Sequence, residues 1–93
     1  MKTATKWDAS EYLETEEDMA AYLHAALADG DTSVVAAALG DIARAKGMTQ
    51  LSKETGITRD GLYKALSPTG NPSFDTVQKV VKAFGLKLDV ATA

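Results

Sequence analysis

The 93 residues amount to 9.8 kDa, the size of one domain, and a chain this short buries roughly 60–65% of its unfolded surface, which excludes a large internal substrate cavity. With no cysteine, disulfides, thiolate metal sites and cysteine nucleophiles are excluded; no apolar run nears the ~18 residues that span a bilayer, and the start lacks a signal-peptide core, so a cytoplasmic protein is expected. The net charge of −3 is unevenly spread: residues 1–40 carry two lysines against eight acids, and residues 41–93 carry eight basic groups against five acids, the pattern of two surfaces with different partners or of chance in a small chain.

Residues 1–14 read as loosely structured. Thr15 then offers an N-cap oxygen, Asp18 stands three residues on, and Glu16 and Glu17 fill the first turn, where acids meet the positive end of the helix dipole. Met19, Leu23, Ala26 and Leu27 follow at helical spacing and Gly30 supplies a stop, which predicts a helix over 16–29. Asp31 caps the next segment. Val34, Val35, Ala38, Leu39 and Ile42 form one apolar stripe, Arg44 and Lys46 lie in the last turn, and Gly47 terminates a helix over 32–46. Thr49 is read as the cap of a short helix that runs through Thr55 and stops at Gly56. Thr58 caps a second short helix from Arg59 to Leu66, and Ser67 to Pro72 is a loop, since two prolines and a glycine cannot continue a helix. Ser73 caps a last helix bearing Val77, Val80, Val81 and Phe84, which Gly85 stops; the tail Leu86-Lys87-Leu88-Asp89-Val90 alternates with the period of a strand.

The informative stretch is 48–67. Two short helices join through Thr55-Gly56-Ile57, with Leu51, Ser52 and Thr55 inward from the first, Leu62, Ala65 and Leu66 inward from the second, and Ile57 plugging the angle. Small Ser52 and Ala65 allow the steep crossing of a helix-turn-helix, although an ordinary helical hairpin has the same turn. The surface left over favours the former. Thr58, Arg59, Asp60, Tyr63, Lys64 and Ser67 share the outer face of the second helix, all of them hydrogen-bonding types suited to base edges and phosphates. Arg59 suits guanine O6 and N7 bidentately, and Asp60 suits cytosine N4 or orients Arg59. Thr49 and Gln50 open the first helix, where side-chain donors and backbone amides hold a phosphate, and Lys53 adds a cation on that side.

Residues 34–86 resemble the Cro/repressor-type (Xre-like) helix-turn-helix domain, and nearly the whole chain resembles the HigA-like antitoxins, the probable addiction module antidote proteins. Ala-Ala-Ala-Leu-Gly-Asp-Ile-Ala-Arg-Ala at 36–45, Gly-Met-Thr-Gln-Leu at 47–51, Leu-Tyr-Lys-Ala-Leu-Ser-Pro at 62–68 and Gly-Asn-Pro-Ser-Phe at 70–74 carry the resemblance. Two departures stand out: Met48 occupies the first motif position, where glutamine is usual, and the tail Leu86–Val90 replaces the usual fifth helix. The resemblance implies an all-α, five-helix lambda-repressor-like domain with an extra N-terminal helix and a short strand-like tail. It divides into an acidic arm and helix over 1–30 and a helix-turn-helix domain over 31–93.

The same resemblance implies a type II antitoxin that neutralises a RelE/HigB-like ribonuclease toxin and represses its own operon at a palindromic operator in double-stranded DNA, as a homodimer. The alternative is a stand-alone phage-type repressor with no toxin. The residues themselves speak to a toxin through charge: Asp8, Glu11, Glu14, Glu16, Glu17 and Asp18 complement a small basic protein, and Trp7, Tyr12 and Leu13 supply apolar anchors beside them. Equally, Glu16 to Asp18 serve the first helix and Trp7 packs on its own chain. Enzymatic readings fare poorly. His24, the sole histidine, has no metal-ligating residue one helical turn away, no serine has a base at an interpretable spacing, and the glycines are scattered. No catalysis, metal or cofactor is expected.

Overall fold

The computed structural model of the protein describes residues 12–93. Five helices make up its regular structure: α1 (Glu16–Asp29), α2 (Thr32–Lys46), α3 (Met48–Thr55), α4 (Arg59–Ala65) and α5 (Phe74–Ala83). Local chemistry fixes most of their ends. Thr15 Oγ1 accepts from the Asp18 N–H at 3.0 Å, and the Asp18 carboxylate accepts from the Thr15 N–H at 3.2 Å, a reciprocal capping box at the start of α1. Asp31 accepts from the Ser33 N–H at the start of α2, and this bond holds its carboxyl below the usual carboxylate range. Thr58 and Ser73 cap α4 and α5 in the same way, through the N–H groups of Gly61 and Thr76.

One boundary differs from expectation. α3 begins at Met48, one residue before Thr49, and Gly47 both ends α2 and precedes α3 with no side-chain cap. Thr49 therefore lies inside the first turn. Met48 enters the core at 8% exposure, so the residue noted above as a departure from the resembled motif serves packing here.

All five helices contribute to a single core. Leu39 and Ile42 of α2, Leu51 of α3, Leu62 of α4 and Val80 and Val81 of α5 are buried together with Phe84, and Met19 and Leu23 of α1 join them. Leu13, which precedes α1, is only 5% exposed and belongs to the same cluster. α2 and the end of α4 approach so closely that a Cβ on Gly40 would collide with the Leu66 carbonyl oxygen. A hydrogen-bonded chain ties α1 to α2: the Tyr22 hydroxyl donates to Asp41 Oδ2 at 2.6 Å, and Arg44 pairs with Asp41 Oδ1. Burial, and then the bond to Asp41, push the Tyr22 phenol up to about 12.

The tail over 86–90 forms no strand, and none occurs among the described residues. A strand needs a ladder partner, and the described residues offer none. Its burial nevertheless alternates: Leu86 and Leu88 are half-buried against the core, and Lys87 and Asp89 are exposed.

Candidate nucleic-acid interface

The turn between α3 and α4 is built from three side-chain hydrogen bonds and one left-handed residue. Gly56 adopts φ 77°, a conformation that costs a residue with a Cβ. Thr55 Oγ1 donates to the Leu51 carbonyl at 2.8 Å and accepts from the Ile57 N–H at 3.2 Å, while Ser52 Oγ donates to the Ile57 carbonyl at 2.5 Å. The inward assignments of Ser52 and Thr55 thus have specific partners, and Ile57 packs half-buried against the core. Leu62 and Leu66 anchor α4 from beneath, at 0% and 3% exposure.

That anchoring leaves the opposite side of α4 to solvent. Thr58, Arg59, Asp60, Tyr63 and Lys64 are all exposed, and Ser67 is half-buried just past the helix end. Asp60 pairs with Lys64 at 3.4 Å across one turn, so it does not orient Arg59, which makes no ion pair among the described residues. Both members of that pair lie in full contact with water, where such contacts contribute little and yield readily to a stronger anion. Ser67 Oγ donates to the Lys64 carbonyl at 3.2 Å. On α3, Thr49, Gln50 and Lys53 are exposed; Gln50 donates to Glu54 at 2.9 Å, and Lys53 has no carboxylate partner among the described residues. The uncapped start of α3 leaves its first-turn amides without a side-chain acceptor.

Sequence reasoning missed Arg44. It lines a shallow cleft of about 230 Å³ with Tyr63, Ser67 and Pro68, and Asp41 fixes its guanidinium beside the C-terminal end of α4. The spacing of Asp41 and Arg44 is an ordinary helical ion pair, and only the close crossing at Gly40 brings it to this face. Of the proposed anchors for a protein partner, Tyr12 is 61% exposed, whereas Leu13 is spent on the chain's own core. Trp7 and Glu11 lie outside the described residues. No described group of histidine, aspartate and glutamate residues is arranged to hold a metal ion, and no described helix is long and apolar enough to cross a membrane.

A family model described as a probable addiction module antidote protein matches residues 3–92. A Haemophilus influenzae protein described as uncharacterized is 49% identical over 84 residues, which cover 90% of this chain and 87% of that protein. No solved structure matches the chain.

Proposed function

The chain belongs to the family of probable addiction module antidote proteins, and from that premise we propose that it is a DNA-binding antitoxin of a type II module, which represses its own operon and neutralises a small basic toxin of the RelE/HigB type. The observation that carries the DNA half is the outer face of α4: the helix is pinned to the core by Leu62 and Leu66, and every side chain it turns outward can hydrogen-bond. A rigid helix bearing polar groups on its free side is what a major groove admits. In this reading α3 and α4 are the two helices of a lambda-repressor-like helix-turn-helix, and Arg59, Asp60 and Tyr63 meet base edges. Thr49, Gln50, Lys53, Thr58, Lys64 and Ser67, with Arg44 at the margin, hold the backbone. The division into an acidic N-terminal segment over 1–30 and a DNA-binding domain over 31–93 is part of the same proposal.

The toxin half rests on family and charge. The segment from Trp7 to Asp18 contains no basic residue and six acids, the complement of a protein that binds RNA, and Trp7, Glu11 and Tyr12 are its proposed contacts. Leu13 is left out because its side chain is already buried. Selection of bound sequences from random duplexes tests the proposal. It is expected to return a two-fold symmetric site with half-sites about 34 Å apart, and a failure to enrich any sequence would overturn it. The toxin half predicts a reading frame for a small basic protein directly upstream; tight binding in a titration with that protein is expected, and its absence would overturn this half.

A further inference from the structure

Asp41 stands between two clefts. With Ala37 it lines both the groove between α1 and α2, beside Tyr22, and the smaller cleft at the end of α4, beside Arg44, Tyr63 and Ser67. We propose that Tyr22 of α1 is a positioning residue for DNA: through Asp41 it aims the Arg44 guanidinium at one backbone phosphate beside the end of α4. This role rests on the DNA-binding reading given above, and it gives α1 a part in it.

Each oxygen of the Asp41 carboxylate has its own partner. The Tyr22 hydroxyl donates to Oδ2 at 2.6 Å, and Arg44 Nη2 donates to Oδ1. The first is a short bond to a charged acceptor, the stronger kind. It is also sheltered, because the Asp41 side chain is 20% exposed and the Tyr22 ring packs half-buried against the core. Burial and the bond itself keep the phenol protonated, so the hydroxyl remains a donor. With Oδ2 held from α1, Oδ1 is presented to Arg44. The guanidinium lies over Gly40, at the crossing of α2 and α4, where a Cβ would stand 3.5 Å from Arg44 Nη1. Among the described residues Arg44 donates through Nη2 alone, so Nε and Nη1 are left for an anion.

A carboxylate at the margin of a phosphate-binding face is unfavourable in the long-range field, since it repels a polyanion. Packing of α1 does not call for it either, because Met19, Leu23 and Ala26 already bury that helix. What Asp41 supplies is order. A long, exposed side chain that must be immobilised on binding loses affinity in the process. Arg44, held by Asp41, has given up that freedom in the free chain, and the Tyr22 hydroxyl keeps Asp41 itself from turning away.

Arg44 and Arg59 are the only arginines, so two side-chain Nε–H signals in nitrogen-15 NMR read the guanidinium groups directly. In the full chain without DNA, Arg44 is expected to be as ordered as the helix backbone and Arg59 mobile. Tyr22→Phe, which keeps the ring, should loosen Arg44 to the level of Arg59 and leave Arg59 unchanged. Duplex titrations follow under conditions where circular dichroism shows every variant folded. Tyr22→Phe should weaken operator and scrambled duplexes alike by about three- to tenfold, since a phosphate contact carries no base information. Arg44→Ala should weaken both as well and lower the salt slope by about one. On the Arg44→Ala background, Tyr22→Phe should change affinity by less than about twofold, because nothing is left to aim. Losses that multiply in the double variant would make Tyr22 a structural staple and overturn the proposal. So would an Arg44 signal indifferent to Tyr22→Phe, or a Tyr22→Phe chain that binds like wild type. A wild type that binds no duplex would overturn the DNA reading too, whereas the other failures leave that reading standing.

Discussion

Arg59 and Lys53 are both exposed cations without a carboxylate partner among the described residues, yet their substitutions should read differently. Arg59→Ala removes a proposed bidentate base contact; it should cost about 1–3 kcal/mol on the preferred operator and flatten discrimination at one base pair. Lys53→Ala removes a backbone contact; it should weaken all duplexes alike and lower the salt slope by about one. Equal losses on specific and scrambled duplexes would move Arg59 off the bases. Tyr22 offers a test in pH. Its phenol is raised from 10.0 to about 12, so the folded state favours the protonated form. The stabilisation is complete below pH 10 and is lost as pH climbs toward 12. Titration of phenolate absorbance should find one of the three tyrosines ionising last, and Tyr22→Phe should abolish that late step. Nothing in the sequence announced this group, because its partner Asp41 lies nineteen residues away and the run at 36–45 that contains Asp41 does not reach Tyr22.

The helices, by contrast, were legible almost to the residue. A capping oxygen opens α1, α2, α4 and α5, and each is a local signal that needs no tertiary knowledge. The start of α3 misled because Thr49 has the chemistry of a cap, while the geometry of the preceding turn was already set by Gly47. Leu13 misled for a related reason: an apolar residue in an acidic stretch reads as an interface anchor until α1 folds it against the core. The crossing of α2 and α4 was equally invisible, since a glycine within a helix reads only as a weak spot. Gly40→Ala would drive a methyl into the Leu66 carbonyl, and relief requires the end of α4 to move. A loss of about 1–3 kcal/mol is expected in chemical denaturation, together with weakened operator binding at temperatures where the variant is fully folded. Thr58→Ala, which removes only the cap of α4, should cost about 1 kcal/mol.

At the scale of the molecule, the two proposed activities occupy opposite charge. Deleting residues 1–11 removes Trp7 and Glu11 but spares Leu13 and the Thr15 cap, and it takes away two lysines with two acids. Folding and operator affinity should therefore be unchanged, while toxin affinity should fall, with Trp7→Ala alone costing about 2 kcal/mol or more if it is a hot spot, mainly through faster dissociation. Undiminished toxin binding by the truncated chain would relocate that interface to α1 and α2. The short connections have a consequence in time. One residue separates α2 from α3 and three separate α3 from α4, so neighbours in sequence are neighbours in the core, and helical proteins wired this way fold in microseconds to milliseconds. Reclosing at that speed outpaces cleavage by a protease, and when it does, the half-life of a protein follows the equilibrium fraction that is open. The persistence of this chain in a cell should then be governed by its stability alone, so that Gly40→Ala shortens its life about tenfold for every ~1.4 kcal/mol of stability it loses.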